Sequence, residues 1–195
     1  AYGKDSPNYD KNNHPYAVFD FDNTTSILDV GEQLEVWQLD HLQFAVPPTQ
    51  MKSVLMTGIP ADKLDAIRAA VSYFKVPGVK DVLAMTNKVD ANGRYLNQYD
   101  YDLHPQTQGV GKAETLAKIL VPKYKGHGPS FTAMDSQGDF NFCTEFKDTK
   151  EVLVINRTRT DDAALCAGIA AYQKKHGIDL AAANKNGDSL FLIQG

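Results

Sequence analysis

In the stretch "YAVFDFDNTTSILD", Asp20 and Asp22 stand one residue apart at the end of an apolar, aromatic run, with no basic residue beside them. If that run is a strand, its side-chain period of two turns both carboxylates to one side. Like charges held so close repel unless a cation or a shared proton relieves them. A hard divalent ion such as magnesium does so, because it takes oxygen ligands and keeps waters that a phosphate oxygen can replace. A second apolar run, "FTAMDSQGDFNF", also ends in acids, Asp135 and Asp139 spaced around Gly138. Brought beside the first, Asp135 would complete an oxygen cage, and Asp139 would bind through water or orient its neighbours. Lys112 in "GVGKAET" opens a helical pattern, where an ammonium and a positive helix end both attract phosphate. Thr57, closing "SVLMTG", could donate its hydroxyl to the same anion.

Taken singly, each piece has an ordinary reading. An Asp pair is commonly a solvated turn or a helix cap, a lysine is usually exposed, and Thr57 can simply end a strand. Their combination carries the argument: both acidic pairs follow apolar runs, and the lysine lies between them. A calcium loop does not fit. Counted from Asp20, Thr25 falls where the turn glycine belongs and Gly31 where the bidentate Glu belongs; counted from Asp135, Phe146 takes the last place. "DANG" at Asp90 to Gly93 reads as a hairpin turn without metal. There is no G-x-S-x-G, no H-E-x-x-H and no paired-cysteine zinc spacing.

The elements that would position these residues alternate. Strands are predicted over Tyr16 to Phe21 (buried), "SVLMTG", Val79 to Met85, "PSFTAM", "KEVLVIN" and "SLFLIQ". Helices are predicted over Glu32 to Ala45, Asp62 to Phe74, Gly111 to Leu120 and Asp161 to His176. Such alternation implies an α/β fold with a largely parallel sheet and helices on both faces, whose ligands bind beyond the carboxyl ends of the strands. The expected layout is a polar N-terminal arm over 1–15 and a single domain over 16–195.

The 195 residues are 43% hydrophobic and 23% charged, with a formal net charge of −4. That is an ordinary globular composition, without the basic field that would hold nucleic acid or an anionic membrane, so neither is expected as a partner. Cys143 and Cys166 could bridge, but two free thiols are the preferred reading, and the pair neither proves nor excludes an oxidising compartment. A chain beginning at Ala1 suggests a processed N-terminus, and a periplasmic or secreted setting is favoured over a cytoplasmic one.

"DFDNT", Asp20 to Thr24, resembles the first signature of the haloacid dehalogenase (HAD) superfamily phosphatases, D-x-D-x-[TV]. Lys112 in "GVGKAET" and "MDSQGD" at Met134 to Asp139 resemble its third and fourth signatures, in the expected order. The resemblance runs from about Tyr16 to Asn156 and points, through "DNT", "DANGRY" and "VINRTRTDD", toward phosphatases of the phosphoserine and phosphorylcholine type. It implies a three-layer α/β/α, Rossmann-like HAD core with a small, reduced or missing cap, residues 46–78 being where a cap insert would be expected. It implies a magnesium-dependent phosphomonoesterase for a small phosphorylated metabolite, working through an aspartyl phosphate. Asp20 would be the nucleophile and a metal ligand, Asp22 the proton carrier and a ligand through its backbone carbonyl, and Asp135 and Asp139 further metal residues. Lys112 would be catalytic and hold phosphate together with Asn23, Thr24 and Thr57, the candidate for the second signature. The fourth signature opens on Met134 where glycine is common. Glu32 and Trp37 read as a helix-start acid and a core residue rather than a choline pocket. A catalytically silent metal-binding relative and a phosphotransferase with the same nucleophile are the alternatives.

Overall fold

The computed structural model describes residues 5, 7, 9, 12, 15–26, 40–41, 63–102, 107–157, 163–178 and 190–194. In chain order the strands are β1 (Ala17–Phe19), β2 (Asn87–Val89), β3 (Tyr95–Tyr99), β4 (Phe131–Met134), β5 (Glu151–Ile155) and β6 (Phe191–Gln194). The helices are α1 (Lys63–Tyr73), α2 (Val110–Thr115), α3 (Val121–Lys123), α4 (Phe140–Thr144) and α5 (Ala163–Lys175). A π turn over Leu116–Leu120 joins α2 to α3, and a 3-10 turn over Gln137–Asp139 leads into α4. Thr57, Glu32, Trp37, the 46–62 part of the expected cap region and all but Asp40 and His41 of the helix expected over 32–45 lie outside the described residues.

The expected α/β class with a parallel sheet is found: β1, β4, β5 and β6 form one four-stranded sheet in that order, with every neighbouring pair parallel. Parallel neighbours need long crossovers, and the helical stretches between the strands supply them. The register pairs Phe19 with Ala133 and Met134 with Val154, so the residues that follow β1, β4 and β5 emerge together at one end of the sheet.

The chain divides into two compact units, one of residues 1–25 with 108–195, the other of residues 26–107. Of the domain expected over 16–195, residues 16–25 and 108–195 fall in the first unit and residues 26–107, which contain the expected cap region 46–78, in the second. The inserted unit has its own helix, α1, and its own antiparallel pair, β2 with β3. Their turn is the hairpin expected at Asp90 to Gly93: the Asp90 carboxylate accepts from the backbone of Asn92 (2.8 Å) and Arg94 (2.9 Å), and Gly93 takes φ 76°, which glycine adopts without penalty.

Three sequence expectations are corrected. The Tyr16 to Phe21 run is not a buried strand: β1 spans three residues and, among the described residues, stands at one edge of the sheet order, with Phe19 53% exposed. Its aromatic character packs sideways instead, Phe19 against Phe131. Val79 to Met85 is not a strand, because those residues join no ladder among the described residues; an apolar run becomes a strand only where it finds a neighbour, and β2 and β3 pair with each other. The helix expected to stop at Leu120 continues to Lys123 through the π turn. The wider turn falls where the ring of Pro122 would otherwise meet the carbonyl of residue 118.

The core of the sheet unit lies on β4 and β5, where Thr132, Ala133, Met134 and Val152 are fully buried and Val154 nearly so. Ala113, Leu116 and Leu120 bury one side of the α2 run, and α2 packs on α4, which packs on β4. Across α5, Tyr172 meets Phe140 and Phe191 edge to face. Cys143 is buried and Cys166 exposed, and both are free thiols.

Candidate functional site

Asp20 directly follows β1, and its N–H donates to the carbonyl of Ala133 (3.1 Å), which carries the strand pairing one rung further. The chain then turns sharply. Asn23 takes φ 60°, a left-handed conformation that Asn tolerates better than most residues. The Thr25 N–H donates to the Phe21 carbonyl (2.9 Å), and the Thr25 hydroxyl to the Asp20 carbonyl (2.7 Å). This turn brings Thr24 back over the end of the sheet. Its hydroxyl lies 3.0 Å from Asp20 Oδ2 and 3.1 Å from Asp135 Oδ1. With a single proton it donates to one carboxylate at a time, so both contacts are hydrogen bonds only when one carboxyl is itself protonated.

Asp135 directly follows β4, and the 3-10 turn after it carries Asp139. A capping box fixes that turn: Asp139 Oδ2 accepts from the Ser136 hydroxyl (2.9 Å) and from the Ser136 N–H (3.3 Å). Asp139 is 1% exposed and Asp135 3%. Met134, the departure from the expected glycine, is itself fully buried in the core, so its bulk is accommodated there.

Lys112 lies in the first turn of α2. The approach is pinned by Gly109, whose N–H donates to the carbonyl of Gly138 (2.9 Å) and so ties the start of α2 to the acidic turn. The Lys112 ammonium reaches Asp20 Oδ1 at 2.7 Å and also contacts Asp139 Oδ1, and it lies over the buried Phe142 ring, 5.9 Å from its centroid. Burial alone would lower the lysine's pKa, but the charges of Asp139 and Asp20 outweigh it and hold it above the ordinary value.

The structure therefore brings together Asp20, Thr24, Lys112, Asp135 and Asp139. One carboxylate oxygen from each of Asp20, Asp135 and Asp139 lies within 4.8 Å of the others. Opposite ligands of an octahedral magnesium stand about 4 Å apart, so this all-oxygen donor set is of the kind and spacing that a small hard dication takes. The Asp22 carboxylate, in the same turn, is not a member of that group, which corrects the expectation that the paired carboxylates of Asp20 and Asp22 share one cation with the other two acids; the family resemblance asks only for the Asp22 backbone carbonyl.

Sequence reasoning missed two residues of the site. Arg157 stands two residues past β5, and its Nη2 lies 2.6 Å from Asp135 Oδ2; Ser136 anchors Asp139. The signal for Arg157 was a charged residue just past "KEVLVIN", at the same end of a predicted parallel strand as the acids.

The Asp135 carboxyl is pushed up to about 6, by burial first and by the charges of Asp139 and Asp20, against the pull of Arg157. Its protonated form is favoured in the fold relative to the unfolded chain, whose carboxyl titrates near pH 4. Its stabilising contribution is thus full below about pH 4 and is lost as the pH rises through about 6. Without added dication, acidification from about pH 7 to about pH 5 is expected to raise the unfolding midpoint of the parent relative to Asp135→Asn, in which this group no longer titrates. Parallel curves for the two proteins would show that Asp135 stays ionised throughout.

No family model matches the chain, and no curated protein matches it. Among solved structures, it is similar to a conserved functionally unknown protein from Anaerococcus prevotii DSM 20548, at 28% identity and a TM-score of 0.47, over 57% of this chain and 29% of that one. The chain thus spans less than a third of that protein's length.

Proposed function

We propose that this chain is a magnesium-dependent phosphomonoesterase of the HAD type, hydrolysing a small phosphorylated metabolite through an aspartyl phosphate on Asp20. The supporting observation is the meeting of Asp20, Asp135 and Asp139 with the Lys112 ammonium and the Thr24 hydroxyl, just past the carboxyl ends of adjacent parallel strands. Five residues from three distant parts of the chain converge there in the order that the family's signatures prescribe.

In the proposed reaction the Asp20 carboxylate attacks phosphorus opposite the ester oxygen. The bond from Asp20 to phosphorus forms as the ester P–O bond breaks, and Asp22 gives its proton to the departing alkoxide. Water then attacks the phosphorus of the acyl phosphate while Asp22 takes its proton; inorganic phosphate leaves and the Asp20 carboxylate is restored. Lys112, already on Asp20, offsets charge on the nucleophile and on the phosphoryl oxygens. Thr24 and the turn at Asn23 face the same phosphoryl group. Magnesium, held by Asp20, Asp135, the Asp22 carbonyl and with support from Asp139, would supply charge neutralisation and orientation of the phosphate. Asp22, whose carboxylate is outside the three-carboxylate group, suits a proton carrier. The unit of residues 26–107 contains residues 46–78, where the family resemblance expects a cap insert, the part that normally selects the substrate.

The test uses beryllofluoride, which mimics an acyl phosphate on a carboxylate. With magnesium present it is expected to raise the unfolding midpoint of the parent and leave that of Asp20→Asn unmoved. A parent that binds magnesium but ignores beryllofluoride would favour the silent relative over the enzyme.

A further inference from the structure

All three clustered carboxylates have donors from the protein: the Lys112 ammonium lies on Asp20 Oδ1 and Asp139 Oδ1, the Thr24 hydroxyl lies beside Asp20 Oδ2 and Asp135 Oδ1, and the second oxygens of Asp135 and Asp139 have donors of their own. Asp135 Oδ2 takes the Arg157 guanidinium at 2.6 Å, and Asp139 Oδ2 takes the hydroxyl and N–H of Ser136. The Arg157 side chain is 18% exposed and that of Asp135 only 4%, so this charge-assisted contact is shielded from competing water. We infer that Arg157 sets which ion the centre accepts: by occupying one oxygen of Asp135 it holds that carboxylate to a single ligand atom and favours a small octahedral dication over calcium. The inference rests on the metal reading above and makes Arg157 a positioning residue.

The physical ground is the difference in what the two ions ask of a site. Calcium takes about six to eight oxygens at longer distances and gains them by binding carboxylates through both oxygens, whereas magnesium needs six at short, nearly ideal positions and is served by one oxygen per carboxylate. An Asp135 released from Arg157 could rotate to offer both oxygens. With Oδ2 engaged it cannot, and the Ser136 contacts restrain Asp139 in the same sense. The positive charge of Arg157 also repels any dication, but it does so equally for magnesium and calcium. The ratio of the two affinities therefore separates positioning from simple charge.

Calorimetric titration of the full chain with magnesium and, separately, with calcium measures that ratio without any assay of activity. Arg157→Met is expected to tighten binding of both ions and to shift the ratio toward calcium by about tenfold, the usual scale for residues that orient metal ligands. Arg157→Lys, whose ammonium can still occupy Oδ2, is expected to keep the parent ratio within about threefold. Should Arg157→Met not fold, Arg157→Gln, uncharged and shorter, carries the same expectation. A ratio unchanged in either folded neutral variant overturns the inference while leaving the metal reading standing. A parent chain that binds neither ion overturns both.

Discussion

Asp20→Asn is expected to lower magnesium-dependent release of phosphate from an aryl phosphate by about a thousandfold or more, the scale on which removal of a nucleophile is felt. The substitution is nearly isosteric, and the amide can still lie between Thr24 and Lys112. What it removes is the anionic oxygen that would attack phosphorus, since the neutral amide is a far weaker nucleophile. It also takes one negative charge out of a crowded group, which relieves repulsion with Asp135 and Asp139, so the variant should fold at least as well as the parent without metal. Loss of turnover together with an undiminished unfolding midpoint would assign the defect to chemistry. Turnover that survives in a clean preparation would remove Asp20 from the role of nucleophile.

Five of the site residues were legible because their signals are local. Asp20 and Thr24 share one turn, Asp135 and Asp139 another, and Lys112 stands at the start of a helical pattern, so apolar runs and turn chemistry were enough to pick them out. What sequence could not supply is the parallel pairing of β1 with β4, which carries Asp20 and Asp135 to one end of the sheet. Arg157 was missed for the same reason. Its meaning lies in a partner on the neighbouring strand β4, and by type alone an arginine after a strand reads as solvated. The sheet class followed from alternation. The exposure of β1 goes with its place at the edge of the sheet among the described residues, and the absence of pairing over 79–85 among those residues goes with the pairing of β2 and β3 with each other; neither is written in the local pattern. The short 3-10 turn and α4, which carry Asp139 and Phe142, have too few residues for periodicity to declare them.

The second large effect concerns the Lys112 ammonium that lies among these acids. Lys112 touches both Asp20 and Asp139, and Asp139 is almost wholly buried. Lys112→Met keeps most of the side-chain volume and removes the charge, which leaves Asp139 with its Ser136 donors but without a counter-ion. Breaking a buried pair from one side is expected to cost on the order of 3 kcal/mol of stability. The contribution is complete at neutral pH: the folded ammonium titrates above the ordinary lysine value, so the stabilisation is present below that value and is lost only as the pH rises through the raised one. Two opposed treatments should each restore part of the loss. Acid should do so by protonating the orphaned carboxylates, and magnesium by supplying to Asp20, Asp135 and Asp139 the positive charge that the lysine no longer brings. Unfolding midpoints of parent and variant, measured with and without excess magnesium, are therefore expected to converge when the ion is present. If Lys112 were an ordinary surface lysine, its replacement would shift the midpoint by no more than an exposed ion pair does, about 1 kcal/mol or less, and magnesium would move both proteins equally. Convergence would mean that the lysine and the dication neutralise the same oxygens, as a centre built to receive a phosphoryl group requires.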